Sequence, residues 1–155
     1  MHLCLMLALM LMLGLLVQSP TIGIDGAPTS SSRRLLTARD YCFRSGKLSD
    51  RQRLRLDHMA YENQEYAHRY AYCFWTKLHL WNDQNGFQAM QIVNHFGGPD
   101  RLNVEQAVPV INKCNLSTRP GAASNWCYRA FVCVLRTPVG EWFRRHMSDV
   151  INGNA

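Results

Sequence analysis

The sequence predicts an all-α fold, a compact bundle of about six helices stapled by two disulfides, in a chain made for export. Apolar residues recur at intervals of three and four, and no segment alternates cleanly as a strand would. The chain opens on an apolar run of signal-peptide length, and five cysteines follow that run in a chain of only 155 residues.

Leu3 to Val17 is an almost unbroken apolar run of about fifteen residues, with Gly14 the one interruption. A membrane-spanning helix needs roughly 20 such residues. This run ends in Gln18, Ser19 and Pro20 without a basic flank, so residues 1–19 read as a signal peptide and the protein as secreted and extracellular. The head carries His2 but no Lys or Arg, a weak start for a signal peptide and the one feature that favours an uncleaved anchor. Pro20 and Pro28 follow the small residues Ser19 and Ala27, which puts cleavage between residues 19 and 28. Residues 20–33, poor in large side chains, are expected to form a flexible arm, residues 34–150 the helical domain and residues 151–155 a tail.

Within that domain the first helix is expected over Leu35–Arg44, ended by Gly46, and Ser49 caps a second that carries Arg51, Arg53 and Arg55. The strongest periodicity runs from Gln64 to Leu80, with Tyr66, Tyr70, Cys73, Phe74, Lys77 and Trp81 at helical spacing. Asn82 to Gly86 is a polar turn. Phe87–Phe96 is expected as a fourth helix with Phe87, Met90 and Val93 on one side, stopped by Gly97, Gly98 and Pro99. Asn103 caps a fifth, which must bend at Pro109 or begin there. A sixth runs from Ala122 to Arg136 after the Pro120–Gly121 turn, and Pro138–Val150 forms a last amphipathic segment with Val139, Trp142, Phe143 and Met147.

The 17 Lys and Arg outnumber the 11 Asp and Glu, a balance that suits an anionic partner or surface but specifies none. Arg51-Gln52-Arg53-Leu54-Arg55 reads as a solvated helix face, so no nucleic acid partner is expected. No catalytic serine, cysteine or carboxylate setting, phosphate-binding glycine loop or paired metal-ligand motif is present, so neither an enzyme nor a cofactor or metal is expected. Cys4 leaves with the leader, and the mature chain keeps Cys42, Cys73, Cys114, Cys127 and Cys133. Four can pair and one is left over. Cys127 and Cys133 lie six apart, about 240° around one helix, so they do not readily bond to each other within it.

The spacing of these positions is informative. With Arg69 and Ser124 included, 26 residues separate Cys42 from Arg69, three Arg69 from Cys73, forty Cys73 from Cys114, nine Cys114 from Ser124 and eight Ser124 from Cys133. Around them stand Tyr72-Cys73-Phe74-Trp75-Thr76-Lys77-Leu78, Asn85-Gly86-Phe87, Asn125-Trp126-Cys127-Tyr128-Arg129 and Cys133-Val134-Leu135. From about Leu35 to Met147 the chain resembles the insect odorant-binding proteins, the pheromone and general odorant-binding family, in a reduced-cysteine form with Arg69 and Ser124 in place of the second and fifth cysteines. The resemblance implies bridges Cys42–Cys73 and Cys114–Cys133, and helices packed around an apolar cavity. It also implies a carrier that takes odorants, pheromones or fatty-acid-like ligands through chemosensory fluid. One missing bridge would cost roughly 2–4 kcal/mol. Cys127 lies outside the family's six positions, as a buried small side chain, an interchain link in a homodimer, or a member of some other pairing; monomer and homodimer both stay open.

Tyr70, Phe74, Trp75, Leu78, Met90, Val93, Ile111, Phe131, Leu135, Trp142 and Phe143 are too apolar for exposed helices and are the candidate ligand contacts, the partner being a small hydrophobic molecule. Any one of them taken singly is more readily ordinary core than a ligand contact. Acid-triggered release, which the resemblance implies, would draw on His58, His68, His79, His95 or His146. Asn115-Leu116-Ser117 is a glycosylation sequon. Two other functions fit the composition: a salivary or haemolymph scavenger of the same fold, and a basic, membrane-active defence protein. No stable membrane insertion is expected of the mature chain.

Overall fold

The computed structural model describes residues 29–155; the leader, its cleavage interval and the first part of the arm lie outside them. Seven helices and one short hairpin follow in chain order: α1 (Ser30–Ser45), α2 (Asp50–Asp57), α3 (Glu65–Lys77), β1 (Trp81–Asn82), β2 (Gly86–Phe87), α4 (Ala89–His95), α5 (Val104–Ser117), α6 (Ala123–Leu135) and α7 (Pro138–Ile151). None of them is long and apolar enough to cross a membrane.

Helix α1 begins five residues before its apolar periodicity does, so residues 30–33, expected in the arm, are helical. The Thr29 hydroxyl accepts from the Ser32 amide at 3.1 Å, and the Ser31 hydroxyl donates to the His95 carbonyl at 2.6 Å. A cap and a distant contact thus override the weak helix propensity of serine. At Ser49 the reciprocal capping box with Gln52 starts α2. Helices α1, α2 and α3 all end through a non-glycine residue of positive φ: Lys47 (50°), Met59 (55°) and His79 (60°). In each case the next amide closes the last turn, as Leu80 does on the Trp75 carbonyl at 3.0 Å. Gly46 ends α1 as expected, as its C-cap, but stays right-handed and leaves the positive φ to Lys47.

This closure cuts α3 three residues short of the expected Leu80 and turns Trp81 out of the helix. Trp81 then pairs with Phe87 across the antiparallel hairpin, an element the sequence pattern did not show. Phe87 is therefore a strand residue, and α4 starts at Ala89. Asn103 caps α5 on the Gln106 amide at 3.1 Å. The helix runs through Pro109, where that residue and Glu105 are both exposed and a lost backbone hydrogen bond is least costly.

Helices α3 and α6 form the central pair, with α1 on α3, α5 and α7 on α6, and α4 on α5. Cys42 bridges to Cys73 (α1 to α3) and Cys114 to Cys133 (α5 to α6). Closing such loops contributes roughly 3 kcal/mol each by the chain-entropy estimate. No bridge joins Arg69 to Ser124. Arg69 is largely exposed and pairs with Glu65 at 3.1 Å. Beside that position His68 ties α3 to α6, its Nδ1 3.0 Å from Asn125 Oδ1 and its ring 4.1 Å from that of Tyr128. Cys127 is free and fully enclosed, and burial pushes its thiol well above the usual range. Of the three readings of Cys127 this is the buried small side chain, and an interchain disulfide through it would require the core to open.

Candidate ligand-binding site

Trp75 sits at the centre of the interior because α3 buries Ala67, Tyr70, Ala71, Phe74 and Trp75 at helical spacing. Its ring meets those of Phe87 and Phe131 at 5.1 Å and of Phe74 and Phe143 at 5.3 Å. These neighbours come from the hairpin, α6, α3 and α7, so one indole joins four elements. The void they enclose measures about 30 Å³ and is lined by side chains from Trp75 to Phe143 that present no charged group. That holds one or two waters, whereas ligand pockets run to roughly 300–1,000 Å³. The expected apolar cavity is thus nearly filled by its own walls.

Of the candidate contacts, Trp75, Ile111, Phe131, Trp142 and Phe143 line this void. Tyr70, Phe74, Leu78, Val93 and Leu135 are buried in the surrounding core. Met90 is 50% exposed and faces away from the interior, which removes it from the candidate contacts. The cause is phase: the Phe87–Met90–Val93 stripe assumes one continuous helix, but α4 begins after Phe87 and buries Ala89, Ile92 and Val93. Phe87, Ile92, Phe96, Leu102, Val134 and Val139 line the void without having been among the candidates. Val139 was accessible to helical spacing, lying four residues before Phe143. Leu102 was not, because it lies in an irregular connection.

Asn115 is 5% exposed. Its Oδ1 accepts from the Phe87 amide and its Nδ2 donates to the Phe87 carbonyl, both at 3.0 Å. A glycan would be attached through that Nδ2, which the folded chain buries and uses as a donor. Gly86, at φ 80°, admits the amide: a Cβ there would lie 2.6 Å from Asn115 Cγ and Oδ1. The basic run of α2 is partly engaged internally, with Arg53 Nε donating to the Leu48 carbonyl at 2.9 Å and Arg55 paired with Glu62.

Beyond Phe96 lies a second, polar pocket of about 550 Å³, bordered by the first turn of α1, Arg34, His95, Arg101 and His146. The Phe96 ring stands edge-on to His95 at 5.1 Å and to His146 at 5.3 Å, and His146 stacks on Trp142 at 5.0 Å. Neither Nε2 has a hydrogen-bond partner among the described residues. Burial, then the Arg34 charge and His146, push His95 down to about 4. Burial and Arg101 lower His146, while Asp149 opposes the shift. By contrast, His68 bonds to Asn125 and Asn63, and His58 and His79 lie at helix ends.

A lowered imidazole means that the unfolded chain binds more protons between about pH 6.5 and pH 4, so stability falls as pH drops through that window. Discounted for solvent screening, His95 contributes about 1–2 kcal/mol to that loss. Urea unfolding at pH 7.5 and 4.5 measures it against His95→Gln, which should show a smaller drop; equal drops in both proteins would refute the assignment.

The family model described as the PBP/GOBP family matches residues 29–137. No curated protein and no solved structure matches the chain.

Proposed function

The chain belongs to the PBP/GOBP family, and on that premise we propose that it is a secreted carrier which takes one small hydrophobic molecule, of the odorant, pheromone or fatty-acid kind, into the interior beside Trp75. The family implies a small odorant- or pheromone-binding carrier and not an enzyme. What supports the site is the aromatic void, formed by side chains from the hairpin and from α3, α4, α5, α6 and α7 and continuous with no charged group. Because the void is small, uptake requires the walls to move apart. The connection over Gly97–Asn103, with Gly97 and Gly98 at positive φ, Leu102 on the void and no regular hydrogen-bond ladder, is the least constrained part of that wall.

The membrane-active alternative has little to work with, since the apolar face of α7 (Val139, Phe143, Met147 and Val150) is already buried. A salivary or haemolymph scavenger would share the site and differ in ligand.

Titration with N-phenyl-1-naphthylamine tests the reading. One equivalent should bind with a blue-shifted emission and a Kd of about 10 μM or tighter, and long-chain alcohols should displace it. Absence of both would refute the carrier function.

A further inference from the structure

Resting on the carrier reading, we infer that the pocket beyond Phe96 is the head-group site for a long-chain carboxylate, whose alkyl chain passes Phe96 into the apolar void. The two spaces share a wall: Phe96 lines both, and His146 of the polar pocket stacks on Trp142 of the void. A single ligand with one charged end and one apolar body fits that pairing.

The charged side chains that line the pocket, Arg34 and Arg101, are both cationic, while the C-terminal residue Ala155 also borders it. Arg34 comes from α1 and Arg101 from the connection before α5, and among the described residues the acid that acts on the imidazoles is Asp149, on the same helix as His146. A carboxylate is an acceptor that guanidinium groups recognise through paired N–H donors. The imidazoles add the second observation. Both Nε2 atoms are buried and unpartnered among the described residues, so a ligand oxygen meets one only if that ring turns toward the pocket, where its N–H tautomer would donate. The serine-rich first turn of α1 borders the same space, and the positive end of a 16-residue helix dipole adds to the preference for an anion. A neutral alcohol of the same length would fill the void equally well and gain little from the arginines. Charge is therefore the discriminating property.

The test compares hexadecanoic acid with hexadecan-1-ol as displacers of N-phenyl-1-naphthylamine near pH 7.5, with wild-type protein and Arg34→Gln/Arg101→Gln. The acid should bind about tenfold more tightly than the alcohol to wild type, a difference of about 1.4 kcal/mol. In the double variant the preference should fall to about twofold or less, with alcohol affinity unchanged. That constancy also shows that the variant is folded. If the variant does not fold, the wild-type comparison of the acid with its methyl ester decides, and a tenfold loss on esterification is expected. Equal binding of acid and alcohol by wild type, or a preference that survives in the folded double variant, would overturn the head-group site and leave the carrier intact. Failure of every ligand and of the probe would overturn both.

Discussion

Asn115→Asp should lower the unfolding free energy by about 3–5 kcal/mol, seen as a fall in the urea midpoint at unchanged slope. The substitution preserves shape, so it leaves no hole and the loss is electrostatic. One carboxylate oxygen still accepts from the Phe87 amide, but the other replaces the Nδ2 donor and faces the Phe87 carbonyl, acceptor against acceptor. The site is 5% exposed, and no cation pairs with Asn115 among the described residues. Trp126 also donates its indole N–H to the Asn115 carbonyl at 3.0 Å, which fixes the residue from the α6 side. The damage passes directly to the interior. Phe87 is held in place by this pair and stands 5.1 Å from Trp75 across the void, so N-phenyl-1-naphthylamine binding should be lost with stability. A variant within 1 kcal/mol of wild type would show that the amide pair does not secure the hairpin. The same geometry predicts that the chain expressed in insect cells carries no glycan on Asn115, which peptide mass spectrometry would reveal.

Gly140→Ala is expected to cost about 3 kcal/mol or more and to lower Tm by about 10 °C or more. Gly140 lies in the first turn of α7, where Thr137 caps the helix and its hydroxyl also donates to the Val134 carbonyl at 2.6 Å. A Cβ at this position would collide with Leu135 Cα and the Val134 carbonyl oxygen, and lie 2.6 Å from the Leu135 carbonyl carbon. All three are backbone atoms, so no side chain can turn away to make room. The gain in helix propensity on going from glycine to alanine is about 1 kcal/mol and is outweighed. Relief requires α7 to move off α6, and α7 brings Val139, Trp142 and Phe143 to the void and His146 to the polar pocket. Ser148→Ala, exposed on the same helix, should leave Tm unchanged. Equal Tm values for the two variants would show that the helices tolerate separation.

Periodicity and chemistry within a few residues determined a great deal here. The Ser49 cap, the Asn103 cap, the apolar faces of α3 and α6 and the spacing of the cysteines follow from contiguous sequence, because each depends on neighbours one helical turn away. Local reading failed at the places where a distant residue imposed the geometry. Phe87 left the helical phase because His79 closed α3 early and Trp81 paired with Phe87, and that shift moved Met90 to the surface and Ile92 to the void. The Asn115 sequon reads as a surface site until a backbone 28 residues away takes both ends of its amide. His95 and His146, indistinguishable in sequence from His58, His68 and His79, become a pair only when α4 and α7 meet around Phe96. By itself, then, the sequence determined the helical class through short-range periodicity and the family resemblance through cysteine spacing and local motifs, and the bridge pairing was what that resemblance implied. Which side chains close the void, and which charges stand beside it, was decided by the packing of elements far apart in the chain, since a contact between helices depends on their relative rotation, and no local pattern encodes that rotation.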